Sequence, residues 1–335
     1  MASRLHGAFS ADYFSQMSVS VHDEASTAAQ SPVAPSDAAI QAVGGVRSGI
    51  GRTDLLLATM ALIWSVNFSV IKFGTRFVEP LAYNGARIAL GASVALLVLA
   101  LWRRRGEPVT RYRSRFFLLG MLGNGFYQFF FIEGLARSRV ATAVLLMAST
   151  PGVIAILGRM RGVERIPSRG WVGIALQLSG VGVLLIGTGA NRGSDSIAGA
   201  LLILGGVFAW AVYAVMLKPI SAEGAWLEVT AYTLAGGAIV SLVLGAPAML
   251  RASWSVAPVS LWPAIAYSGI GALFIATAFW YEGLRRLGPT RTSMYSNLQP
   301  LFAMAIAWMA LGEVPTGWQA IGALLIMTGL LLARA

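Results

Sequence analysis

This chain of 335 residues is 56% hydrophobic and only 12% charged, with a mean hydropathy of +0.69, whereas ordinary soluble chains carry roughly 25% charged residues. It has no cysteine, which excludes disulfides, thiolate metal sites and cysteine nucleophiles. Both histidines, His6 and His22, precede the apolar body, so that body holds no histidine metal site or triad, and the net charge of +11 lies on arginines between apolar runs, a pattern of membrane topology and lipid headgroups rather than nucleic acid.

Residues 1–50 are rich in Ala, Ser, Gly and Asp and carry Pro32 and Pro35 with little apolar periodicity. This stretch is predicted to be a disordered cytoplasmic tail; it lacks the charged start, apolar core and cleavage site of a signal peptide, and Met17 is a second candidate start. Ten apolar segments follow, at 54–72, 81–102, 116–135, 140–158, 171–188, 197–217, 226–250, 261–282, 292–311 and 316–333. Each is of a length to cross a hydrocarbon core, which takes about 20 residues. The short connections leave no room for a soluble domain, so the expected fold is an all-α integral membrane bundle. The 38 glycines, scattered through apolar runs, suit close helix crossings.

With the N-terminus inside, 17 Lys/Arg fall on cytoplasmic connections and six on the opposite face, which predicts both termini in the cytoplasm. The chain also repeats itself. Glu282-Gly283-Leu284, Pro300 and Glu313 match Glu133-Gly134-Leu135, Pro151 and Glu164 at an offset of 149. Trp210 and Lys218 match Trp64 and Lys72 at 146, and Trp318 and Gly329 match Trp171 and Gly182 at 147. Two repeats of five helices, 54–188 and 197–333, must insert with opposite orientation, the architecture of alternating access around a midplane site.

Several phrases carry a family resemblance. Leu-Ile-Trp-Ser-Val-Asn-Phe at 62–68, Arg-Arg-Leu-Gly-Pro-Thr-Arg-Thr at 285–292, Asn-Leu-Gln-Pro-Leu at 297–301 and Ala-Leu-Gly-Glu at 310–313 resemble EamA-type transporters of the drug/metabolite transporter superfamily. A degraded copy stands at 143–151, followed by Glu164 in an unusually basic Arg161-Gly-Val-Glu. The resemblance covers about residues 54–333. It implies a ten-helix bacterial inner-membrane protein of a family in which many members export amino acids and related metabolites, and it draws attention to Arg87, since arginine is common at that position.

Polar side chains inside a bilayer must face protein or a water-filled cavity. In the ninth segment Ser293, Ser296, Asn297 and Pro300 share one helical face, with Gln299 beside it. Their fourth-segment counterparts Met147 and Ala148 are apolar; instead Asn124, Gln128 and Phe131 share a face of the third segment, next to Tyr127. An asymmetric site is expected between these two stripes, in competition with amides serving as glue between helices. Trp64 and Trp210, with Asn67 and Tyr213 one turn on, would supply stacking surfaces for an amphipathic solute. Trp280, Tyr281 and Trp308 read as interfacial belt residues. Arg87, the one cation deep in a segment, can receive an anion or reach out to the interface. Pro151 and Pro300 are expected to kink their helices and serve as pivots.

Glu133 and Glu282, each followed within four residues by arginine, read as interfacial ion pairs. No phosphate loop or dinucleotide fingerprint occurs, so neither an enzyme nor a cofactor is expected. A small-molecule substrate, amino acids of bulky or aromatic kind foremost, and membrane lipids are the expected partners; proton coupling and a homodimer stay open. The rivals are an exchanger of phosphorylated sugars or nucleotide-sugars, which would need several buried cations, and a membrane scaffold or embedded enzyme.

Overall fold

The computed structural model describes residues 51–104, 110–162, 166–190, 196–296 and 298–334; the predicted tail at 1–50 lies outside them. Among the described residues every regular element is helical. In chain order these are α1 (Arg52–Gly74), α2 (Pro80–Arg103), α3 (Arg113–Ala136), α4 (Val140–Met160), α5 (Ser168–Ala190), α6 (Ile197–Leu217), α7 (Trp226–Arg251), α8 (Leu261–Gly283), α9 (Leu298–Leu311) and α10 (Gly317–Arg334). The first eight are long and apolar enough to cross a membrane, whereas α9 and α10 are shorter apolar helices. Ten spans were expected; among the described residues eight have that length and composition, and α9 and α10 follow as apolar helices with shorter described stretches.

A correction concerns 283–291, the arginine-rich connection expected between the segments at 261–282 and 292–311. Helical backbone runs unbroken over Thr277–Ser296. The predicted ninth segment therefore loses its first residues to the helix before it. Arginine and leucine are good helix formers, and Arg286 pairs with Glu282 one turn back. A cluster of basic residues places a segment near headgroups; it does not by itself end a helix.

Close crossings hold the bundle. A Cβ on Gly120 of α3 would stand 2.1 Å from the backbone oxygen of Thr233 in α7, and one on Gly269 of α8 would stand 2.5 Å from that of Arg87 in α2. Gly120 and Gly269 are 149 residues apart, and Arg87 and Thr233 are 146 apart. Both repeats thus make the same backbone crossing, and only glycine lets two helices approach so closely. Beyond these pairs, α5 packs along α10, α2 along α7, and α9 against α1 and α4.

The repeats share two further devices. In α3 the helix widens into π turns at Met121–Phe126, and in α8 at Tyr267–Ala276, which contains the matched positions. The fourth helix of each repeat is followed by a glycine in the left-handed region, Gly162 and Gly312, both at φ 70°, the conformation that ends helices and that glycine adopts without strain. Glu313 then turns back and accepts the Val140 N–H at 2.8 Å, capping the start of α4. Glu164, its counterpart, lies outside the described residues.

Of the two prolines expected to kink their helices, Pro151 stands beside an interruption of α4. α4 is two helical segments, Val140–Met147 and Thr150–Met160, and Pro151 stands in the first turn of the second. There a missing N–H costs nothing in the helix that follows, though it leaves the Met147 carbonyl without its donor. The Thr150 hydroxyl donates to that carbonyl at 2.5 Å, and Ser149 donates to Leu146 at 2.6 Å. Pro151 therefore marks a satisfied break. Pro300 is the third residue of α9, and its neighbour Asn297 lies outside the described residues.

Candidate functional site

A cavity of about 230 Å³ opens among α1, α2, α3, α4, α6, α8, α9 and Ser296. It is somewhat smaller than the roughly 300–1,000 Å³ of pockets for drug-sized ligands, a size that suits a small metabolite. Of the residues singled out in the sequence, Trp64, Asn67, Arg87, Asn124, Tyr127, Gln128, Trp210, Ser296, Gln299, Pro151 and Pro300 line it. Asn297 and the side chain of Ser293 lie outside what the structure describes.

The two expected polar stripes meet across this space. Asn124 and Gln128 come from α3, on and just beyond its π turns, and Gln299 comes from α9. A π turn inserts an extra residue and rotates the side chains that follow, so the spacing Asn124, Gln128, Phe131 presents one face toward the cavity. Asn124 is 6% exposed and Gln128 5%. Thr150 and Thr277 add hydroxyls that the sequence reading did not assign to the site. Both were legible as partners of assigned residues, since Thr150 is the repeat mate of Gln299 and Thr277 that of Gln128.

Aromatic rings form the rest of the wall. Tyr127 stacks on Phe131 with centroids 5.8 Å apart and meets Trp210 at 5.0 Å, while Phe68 approaches Phe131 edge-on at 5.5 Å. Trp64 presents its ring and donates its indole N–H to the Ala272 carbonyl at 2.9 Å, within the π turns of α8. On the same side Ser268 donates to Asn67 Oδ1, and Tyr83 donates to Ser268 at 3.1 Å. These bonds fix Asn67 in place and leave its NH2 for the cavity.

Two expectations about aromatic residues are corrected. Tyr213 is fully buried and stands behind Trp210 at 5.1 Å, its hydroxyl 2.6 Å from that of Tyr281; it supports the wall without lining it. Tyr281, at 5% exposure, is part of that same packed layer, and Trp280 lines the cavity 6.2 Å from Trp210. Neither belongs to an interfacial belt, because the helical backbone continues past them and leaves them well inside the bundle. Trp308 is 59% exposed, as a belt residue would be. Of the two roles open to Arg87, reaching out to the interface is not the one seen: its side chain is fully buried and belongs to the cavity wall. Its Nε donates to Asn84 Oδ1 at 3.1 Å and its Nη2 to Gln128 Oε1 at 2.6 Å.

Charged groups elsewhere sit toward helix ends. Glu133 pairs with Arg137 and Glu282 with Arg286. Lys72 donates to the carbonyls of Leu135 and Ser138, and Arg139 to that of Val314 at 2.5 Å. At the other end of α1, Tyr295 donates to Asp54 at 2.6 Å. Among the described residues no group of three or more acidic or histidine side chains could hold a metal ion.

The chain resembles transporters across nearly its whole apolar length. It is 27% identical to the uncharacterized transporter YyaM of Bacillus subtilis (strain 168), over 83% of this chain and 92% of that protein. It is 28% identical to a probable terminal-alkyne amino-acid exporter of Streptantibioticus cattleyicolor, over 82% and 91% of the two chains. A probable amino-acid metabolite efflux pump of Escherichia coli (strain K12) is also 28% identical, over 84% and 94%. A crystal structure of a protein 23% identical superposes with a TM-score of 0.58 over 84% of this chain and 96% of that one, a likeness of fold. The model of the EamA-like transporter family matches twice, at residues 51–186 and 197–335. With two such repeats and its apolar helices, the chain belongs to the EamA-like transporter family, within the drug/metabolite transporter superfamily.

Proposed function

We propose that this chain is a ten-helix secondary transporter, built from two inverted five-helix repeats at 54–188 and 197–333, that exports small organic metabolites by alternating access. Amino acids with bulky or aromatic side chains lead the substrate list. One observation carries the reading: a small cavity walled by aromatic rings and amides, reached from both repeats. Aromatic faces take up an apolar body, and a few fixed amides orient its polar end. The names of two relatives, an amino-acid exporter and an amino-acid metabolite efflux pump, support the same class.

The excess of Lys/Arg on one set of connections, 17 against six, supports a bacterial inner-membrane protein with both termini in the cytoplasm. Inverted repeats would exchange roles as the cavity opens to one face and then the other. Bonds that join different helices near opposite ends of α1, from Lys72 to the end of α3 and from Tyr295 to Asp54, would open in alternate states. The test is flux in reconstituted vesicles. Efflux and uptake are followed for a metabolite panel with and without a pH gradient. Saturable flux of one or more amino acids, lowered tenfold or more by Asn124→Ala, is expected; a panel that equilibrates at the rate of empty vesicles would refute the reading.

A further inference from the structure

Among the described residues of the cavity wall, Arg87 is the one that carries a charge. It stands there fully buried, and of the five N–H donors of a guanidinium only Nε and one Nη2 proton have partners. Nη1 is buried with no hydrogen-bond partner at all. Both groups that hold Arg87 are neutral amides, Asn84 and Gln128. Among the described residues no aspartate or glutamate lines the cavity. Arginine buried in a membrane bundle ordinarily pairs with an acid or with several carbonyls, because a charge taken from water stays costly until a counter-charge reaches it. The repeat mate of Arg87 shows the contrast: Thr233 is equally buried but donates to the carbonyls of Val229 and Thr230 in its own helix.

We infer that the substrate brings the missing counter-charge, as a carboxylate received by Nη1 of Arg87. The Asn84 and Gln128 bonds hold the guanidinium in a fixed plane; Nη1 has no accessible surface in this state, so a carboxylate reaches it as the packing around it opens and then accepts N–H···O bonds from it. Asn124, which makes no hydrogen bond to the described protein, stands in the same wall with its amide available to the second oxygen. A substrate ammonium group finds no anion among the described residues of this wall and stands near a cation. The carboxylate is therefore required, and the amine is dispensable. A dianionic phosphate would leave one charge uncompensated against a single arginine, so the class is a monoanionic carboxylate on an apolar or aromatic body. This inference rests on the transport reading and narrows it to aromatic carboxylates, with amino acids as one subset.

Three compounds with one skeleton test it on the full-length protein: phenylalanine, 3-phenylpropionate, which lacks the ammonium, and phenethylamine, which lacks the carboxylate. Thermal stabilisation of the purified protein measures binding, and flux in vesicles measures transport. We expect 3-phenylpropionate to bind at least as tightly as phenylalanine and phenethylamine to bind at least thirtyfold more weakly, on the order of a desolvated charge pair. Arg87→Gln should remove that discrimination, and Arg87→Lys should restore part of it. The wild-type comparison needs no variant, so a poorly folding Arg87→Gln leaves the test intact. Phenethylamine binding as tightly as 3-phenylpropionate, absence of carboxylate binding at millimolar concentration, or unchanged discrimination in a folded Arg87→Gln would each overturn the inference. Arg87-dependent carboxylate binding without any flux would uphold it and sink the transport reading instead.

Discussion

The third helix of each repeat is the most informative pair in this molecule. α3 and α8 share a glycine at the same backbone crossing, π turns at the same height, and a Glu-Gly pair whose glutamate pairs with an arginine one turn on. They differ where they meet the cavity: Asn124, Tyr127 and Gln128 of α3 stand at the positions of Leu273, Ala276 and Thr277 in α8. The same holds one helix earlier, where Arg87 of α2 is matched by Thr233 of α7. Duplication kept the features that pack two helices together and let the features that touch the cavity diverge. Trp64 and Trp210 agree between repeats and both line the cavity, so agreement does not exclude a residue from the site; the polar and charged residues that disagree are the candidates for recognition.

This contrast can be broken at several points. The largest effect is expected from the shared crossing. Gly120→Ala and Gly269→Ala drive a Cβ into a partner backbone, which cannot swing away as a side chain can, so each should cost about 1–3 kcal/mol or more and reduce the yield of monodisperse protein. Gly182→Ala, with open space around its Cβ position, should leave yield and melting temperature unchanged. If all three behave alike, the crossings do not hold the bundle.

Next comes the divergence itself. Asn124→Leu combined with Gln128→Thr copies α8 onto α3. We expect normal yield with transport lowered at least tenfold, because both the free amide and the Arg87 partner are lost. The reverse change, Leu273→Asn, should leave transport within about twofold, since no cation faces that helix from Thr233. Equal losses in both directions would show the two repeats to be equivalent at the cavity.

Smaller effects belong to devices of the fourth helices. Thr150→Val frees the Met147 carbonyl at the break before Pro151 and should lower stability by about 1 kcal/mol, read as a shift in thermal midpoint. Glu313→Gln weakens the cap on α4 by about 0.3–1 kcal/mol without changing substrate selectivity. Least of all, Glu133→Gln should change stability by less than about 0.5 kcal/mol, because its partner Arg137 is half exposed; a transport defect there would move proton coupling to an unexpected place.

Much of this was legible in the sequence because a bilayer allows so few solutions. Apolar run length placed the ends of the first eight helices to within three residues, except that helical backbone continues beyond the eighth to Ser296, and the repeat offsets identified which helices are counterparts. Asn124, Gln128 and Gln299 were readable as cavity residues because an amide in hydrocarbon must face something polar. Depth from the wall was not readable. Tyr213 and Trp280 both sit on helices that border the cavity, and only the three-dimensional arrangement decides that Trp280 lines it while Tyr213 stands one layer behind. The π turns were hidden for a similar reason, since Met121–Phe126 has no composition that separates it from an ordinary α-helical turn. The role of Arg87 needed both sources. The sequence showed a buried-depth cation, and the structure showed that its Nη1 has no partner.

The central claim is that the aromatic and amide cavity is the path of a small organic solute. Its most direct test is vesicle flux of an aromatic amino acid and its deaminated analogue through wild-type protein and Gln128→Ala, at matched reconstitution. The account predicts saturable wild-type flux that falls at least tenfold in the variant. Equal flux in the two proteins would contradict it.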